Sequence, residues 1–219
     1  MGVIFSRINP AEFTTHLREL DIGLFILAVL FFIPQIAISA YRWKVMIENK
    51  VPMSLWEAAK LNLACNALNI LLPSRVGDLS KAYFIGRQGR VDMKRGMNVV
   101  FFEKYIDLAS LGIVVLTGIF FSRQWDGPSL MGMAFSSVMI GLFPVLYFIN
   151  LEKWMSFPIF GKNRFLGKIR TFFLDTHEYL EEIKKDPKLL LGVVALSIFL
   201  WFVHILQFYV MFRAFHSEV

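Results

Sequence analysis

Arg75, Asp78 and Lys81 follow Pro73 and surround Gly77 in the run Asn69-Ile-Leu-Leu-Pro73-Ser-Arg75-Val-Gly77-Asp78-Leu-Ser-Lys81-Ala82. Proline has no N–H, so a helix closing at Pro73 leaves the carbonyls before it without their usual donors. Gly77 allows the backbone to turn sharply or to approach another group closely. A helix restarting near Asp78 presents N–H groups with partial positive charge, and Arg75 beside them makes a place suited to a phosphate. The plain alternative is a cytoplasmic turn with solvated charges.

A second group sits inside an apolar stretch: Glu103, Lys104 and Asp107 within residues 97–121. Each charge at the centre of a lipid-facing helix costs about 2.5–3.5 kcal/mol on insertion scales. Glu103 and Asp107 are four apart and share a face that Ser110 extends, so they should face the bundle interior or a wet cavity. Lys104 can snorkel to the nearby surface or pair with Asp107 at i+3. Asn62, Asn66 and Asn69 recur at i, i+4 and i+7, an amide face that should avoid lipid because an unpaired amide there costs several kcal/mol. Such a face is glue between helices or a lining for a polar headgroup. His204 and Gln207 form a smaller polar patch beside Trp201, more simply a packing feature than a substrate contact.

The elements that must position these groups are membrane helices. Of 219 residues, 56% are hydrophobic and 18% charged, against roughly 45–50% and 25% in soluble domains. The net charge of +6 and pI near 9.5 come from basic residues between apolar stretches, where the positive-inside rule and anionic headgroups account for them without nucleic acid. The single Cys65 cannot form an internal disulfide, and the four histidines lack ligand-like spacing, so neither a metal nor another cofactor is expected. No Gly-x-x-x-x-Gly-Lys-Ser/Thr phosphate loop occurs, so ATP does not drive the chain from within.

The pattern predicts an all-α, polytopic integral membrane helix bundle with a broken or re-entrant helix pair and amphipathic surface helices. Apolar stretches cover 22–41, with a kink expected at Pro34, then 97–121, 130–149 and 189–212. Residues 54–72 are the weakest stretch, opening with Ser54 and Glu57 in capping-box spacing and closing at Pro73. Residues 1–20 and 163–185 are amphipathic and expected on the membrane surface, the latter on the cytoplasmic side; residues 21–219 form one transmembrane domain. Basic residues from Arg75 to Arg95, and again from Lys153 to Lys188, place both connections in the cytoplasm. Residues 54–72 then either cross or re-enter, and Arg42, Lys44 and Lys50 favour re-entry, since crossing would leave them outside.

Three quoted patterns together resemble the transmembrane, flippase-like family of the lysylphosphatidylglycerol synthases and related archaeal and bacterial membrane proteins. They are Arg42-Trp43 closing the first span, Asn69-x-x-Leu72-Pro73-Ser74-Arg75-Val76-Gly77-Asp78 in place of Asn-x-x-x-Pro-Gly-Arg-x-Gly-Glu, and Glu103-Lys104-Tyr105-Ile106-Asp107 in place of Glu-Arg-x-x-Asp. The likeness covers about residues 20–215; Ser74, Asp78 and Lys104 depart from it. It implies a multi-pass protein of the cell (cytoplasmic) membrane, more a translocator than an enzyme. The protein would move, or help move, a phospholipid or polyprenyl-phosphate-linked glycan. Asn69, Pro73, Arg75, Gly77, Asp78, Lys81, Glu103 and Asp107 would meet the headgroup, with Asn62, Asn66, His204 and Gln207 as a secondary polar face. The family also carries a second Pro- and Gly-rich break in a further half, so the chain reads as a truncated or partial form. The partners implied are membrane lipids with an anionic or polyprenyl-phosphate headgroup, a glycosyltransferase, or a second copy. Two other classes remain open: a membrane-embedded glycosyltransferase or its accessory subunit, using Asp78, Glu103 or Asp107 as base or metal ligand, and a structural scaffold. A cytoplasmic Asp-x-Asp, which would support the former, does not occur.

Overall fold

The computed structural model describes residues 19–47, 52–71, 76–87, 92–123, 125–148, 174, 176 and 178–215, with the side chains of 76 and 143–148 excepted. Pro73, Arg75, the segment 1–18 and most of 163–177 therefore lie outside the described residues. Every described element is an α-helix. Ile22–Ile47, Met93–Ser122 and Pro187–Ala214 are long and apolar enough to cross a membrane, and many of their large apolar side chains face outward.

The first apolar stretch is two helices, α1 (Ile22–Leu30) and α2 (Phe32–Ile47). Asp21 caps α1 by accepting from the Leu24 amide at 3.0 Å. Pro34 cannot donate to the Leu30 carbonyl, which accounts for the interruption at Phe31. The helix does not end at Tyr41 as the apolar count expects. It runs on to Ile47 and carries Arg42 into the protein interior.

Helix α3 (Leu55–Leu71) begins with the expected reciprocal cap: the Glu57 amide donates to Ser54 Oγ at 3.1 Å, and the Ser54 amide to Glu57 Oε2 at 3.0 Å. Helix α4 (Val76–Arg87) folds back along it. A Cβ on Gly77 would sit 2.7 Å from Asn69 Oδ1 and 2.8 Å from Asn69 N, and would also collide with the Cys65 carbonyl. Glycine is what allows α3 and α4 to touch here. At the other end of the pair, Met53, Glu57 and Leu61 line a groove with Phe84 and Ile85. With 17 and 12 residues, the helices extend only about 25 and 18 Å at 1.5 Å per residue, short of the roughly 30 Å hydrocarbon core.

Helix α5 (Met93–Ser122) closes at Arg123 in a left-handed conformation, φ 53°. Asp126 starts α6 (Gly127–Phe148) by accepting from the Ser129 amide at 3.0 Å, and the Ser129 hydrogen bonds hold its carboxyl below the ordinary range. The α5–α6 hairpin packs through small residues, with Gly112 against the Ser136 carbonyl. Helix α7 (Pro187–Ala214) follows a helical segment over 178–184. The apolar side of that segment, Tyr179, Leu180 and Ile183, joins the core with Trp43, Ile47, Val99 and Phe102. In its described part, then, the amphipathic stretch covers the bundle end rather than lipid, because the bundle end offers matching apolar surface.

The chain divides into two compact units, Ile36–Trp201 and Met1–Gln35 with Phe202–Val219. In the larger unit one buried cluster contains Ile47 of α2, Met53 and Ala58 at the start of α3, Ile85 at the end of α4, Val99 of α5, Ile183 and Val193. The end of α2, both outer ends of the α3–α4 pair and the starts of α5 and α7 therefore meet at one end of that unit. The pair leaves and returns to the same end as an antiparallel hairpin. In the smaller unit the Asp21 amide donates to the Ala214 carbonyl at 2.9 Å, and Phe25 meets Phe215 edge-on.

Candidate functional site

The charged groups of α5 find their partners on α2 and α4. Arg42 Nη2 donates to Glu103 Oε1 at 2.9 Å, while its Nη1 donates to Asp107 Oδ1 and to Ser197 Oγ, the latter at 2.7 Å. Lys81 Nζ lies 3.1 and 3.3 Å from the two Glu103 oxygens and 5.0 Å from the centre of the Trp43 ring. Lys104 Nζ stands 3.1 Å from Asp78 Oδ2 and 4.0 Å from Asp107 Oδ2. Asp78 also accepts from Asn69 Nδ2 at 3.1 Å, and the Trp201 indole N–H donates to the Asp107 carbonyl at 3.0 Å.

Among the described residues this network holds three cations, Arg42, Lys81 and Lys104, and three carboxylates, Asp78, Glu103 and Asp107. It is electrically neutral. An isolated buried ion costs several kcal/mol, and closing the charges on one another removes most of that penalty. The depth is consistent with that need: Glu103 and Asp107 lie about 15–21 Å along α5 at 1.5 Å per residue, near the middle of a 30-residue helix. Burial is graded. Arg42, Lys81 and Glu103 have side chains 2–3% exposed, whereas Asp78 is at 10%, Asp107 at 22% and Lys104 at 37%.

Asn69, Gly77, Asp78, Lys81, Glu103 and Asp107 thus converge on one region, with Asn69 and Gly77 forming the contact that holds α4 against α3. Arg75 and Pro73 fall outside the described residues. Lys81, counted in sequence as a loop charge, is instead 2% exposed. The asparagine face splits: Asn62 is buried, Asn69 half-buried and Asn66 exposed. At 100° per residue, positions 62 and 69 differ by only about 20°, while 66 lies about 40° to the other side of 62. In the smaller unit Gln35 Nε2 donates to Gln207 Oε1 at 2.7 Å, and Gln207 Nε2 donates to the Ala28 carbonyl at 3.0 Å. Gln207 therefore does packing work beside the α1–α2 interruption. His204 is half-buried one turn earlier.

Arg42, Lys104, Ser197, Trp43 and Trp201 are the members the candidate set omits. Arg42 ends an uncharged run, so hydropathy assigns it to a loop; the signal that could have found it is charge balance, since two intramembrane carboxylates demand cations. Further polar atoms nearby have no hydrogen-bond partner among the described residues: Asn62 Nδ2, Asn69 Oδ1, Ser110 Oγ and Arg42 Nε.

The sequence pattern of the family described as the lysylphosphatidylglycerol synthase TM region matches residues 1–219. A UPF0104 membrane protein of Methanothermobacter thermautotrophicus is 22% identical over 236 aligned residues, covering 97% of this chain and 69% of that protein. No solved structure matches the chain. The chain belongs to the lysylphosphatidylglycerol synthase transmembrane family.

Proposed function

We propose that this member of the lysylphosphatidylglycerol synthase transmembrane family binds an anionic lipid headgroup at its broken α3–α4 pair and assists the passage of that lipid between leaflets. The lipid is a phospholipid or a polyprenyl-phosphate-linked glycan, and the membrane is the cytoplasmic one. The supporting observation is a neutral, graded ion network about midway along α5, beside two short antiparallel helices. Broken helices at mid-membrane are how many transporters bring backbone dipoles and charge to a substrate. Arg75, which falls between α3 and α4 in the sequence, would supply a further cation for the phosphate. Movement follows a lipid gradient or couples to ions.

The enzyme alternative receives less support, since a general base needs a carboxylate able to take a proton and all three here already face a cation. A scaffold role draws on the same pairing, and activity separates the two. In vesicles carrying a fluorescent anionic phospholipid, the chain should accelerate leaflet exchange, with Arg75→Ala and Asp107→Asn each slowing it by about tenfold, equivalent to roughly 1.4 kcal/mol of lost stabilisation. Exchange that proceeds at the wild-type rate in both variants rules the translocation reading out.

A further inference from the structure

We propose that Lys104 is the cation that takes the phosphate of the lipid headgroup, and that Asp78 holds it as an internal substitute until the phosphate displaces it, an assignment that rests on the headgroup reading above. The three network cations differ in what they can release. Arg42 divides its guanidinium between Glu103 and Asp107 and adds Ser197, at 2% exposure. Lys81 holds both oxygens of Glu103 at 3% exposure. Neither can meet a ligand without stranding a buried carboxylate.

Lys104 is placed differently. Its side chain is 37% exposed, and its short contact is the single oxygen Asp78 Oδ2 at 3.1 Å, with Asp107 at 4.0 Å. Three rotatable N–H donors on a flexible stem let an ammonium exchange partners at little geometric cost. Asp78 is equipped to be left behind. It keeps the Asn69 amide at 3.1 Å and lies in the first turn of α4, where free N–H groups favour a carboxylate. Asp107 is already engaged by Arg42 and stands 4.0 Å from Lys104, so the phosphate enters on the side Asp78 vacates. Phosphate wins the exchange through its larger number of acceptor oxygens, and its removal lets Asp78 close the site again.

The competition gives Asp78 and Lys104 opposite effects on binding, which a purely structural ion pair would not. The full chain in detergent is titrated with dihexanoyl phosphatidylglycerol, dihexanoyl phosphatidylcholine and inorganic phosphate by calorimetry, with thermal midpoints recorded for each variant. The wild type should prefer phosphatidylglycerol; Lys104→Gln should weaken it about tenfold and Lys104→Arg by no more than about threefold, since charge is kept but reach changes. Asp78→Asn should tighten it by about threefold or more, because the internal competitor is gone. Unchanged affinity in Lys104→Gln overturns the proposal, and so does Asp78→Asn weakening the lipid as Lys104→Gln does, which marks a structural tie. Inorganic phosphate binding as tightly as phosphatidylglycerol overturns the lipid as the source of the anion. Should Lys104→Gln fail to fold, Asp78→Asn and Lys104→Arg decide alone. Leaflet exchange is scored separately: phosphatidylglycerol binding without exchange sinks translocation and leaves this contact standing.

Discussion

Arg42 carries the heaviest electrostatic duty of any single side chain described, bonding Glu103, Asp107 and Ser197 from one guanidinium. Removing one partner of a buried ion group leaves the others uncompensated, a loss of about 3–5 kcal/mol. Arg42→Gln should therefore lower the unfolding midpoint in detergent sharply, and a midpoint equal to wild type would show the network to be energetically idle. Gly77 is the second sensitive position. A methyl group there meets the backbone at Cys65 and Asn69, and backbone cannot swing aside as a side-chain tip can. Gly77→Ala should cost about 1–3 kcal/mol by overpacking and should loosen the Asn69–Asp78 bond, read as lost denaturant resistance. The intramembrane acids, the glycine and the Asn69 amide are legible in sequence from charge type and spacing. Arg42 is legible only as part of the Arg42-Trp43 pattern and not from hydropathy, which stops at a charge whether that charge leaves the membrane or turns inward.

The elements follow from local chemistry where that chemistry is strong. Ser54 and Glu57 start α3, Asp126 starts α6, and Pro34 breaks the first span, each by the donor or acceptor it supplies or lacks. Pro34→Ala supplies the missing N–H to the Leu30 carbonyl, so it should join α1 and α2. Amide exchange near Phe31 should slow by about fivefold to tenfold, on the scale of one net hydrogen bond; exchange unchanged from wild type would place the interruption elsewhere. Element ends are less readable. Helix α2 outlasts its apolar run and α5 begins before its own, because polar residues remain helical when the face they occupy is covered by neighbours. The segment 178–184 shows the same limit for amphipathic stretches: periodicity identifies an apolar side, while the surface it meets depends on what lies opposite.

For the whole molecule, the decisive question is whether α3 and α4 cross or return. The shared cluster of Ile47, Met53, Ile85 and Val99 brings the outer ends of α3 and α4 together with the end of α2 and the start of α5, and accessibility from the two sides of a membrane decides whether that hairpin crosses or re-enters. For a re-entrant hairpin, single cysteines at Leu55 and Arg87 should label with an impermeant maleimide from the same side of oriented vesicles, and one at Arg123 from the other. Buried Cys65 stays silent. Labelling of positions 55 and 87 from opposite sides would falsify the re-entrant hairpin. The sequence by itself determined that the chain is a helical membrane protein, that a proline and a glycine break it, and that its intramembrane charges must be hidden from lipid. Those are consequences of solvent cost, which each residue bears wherever it sits. Only the tertiary structure decided who hides whom: Arg42 with Glu103 and Asp107, Lys81 with Glu103, Lys104 with Asp78. Several pairings of three cations with three carboxylates neutralise the same total charge, and the choice among them is made by which helix faces pack together.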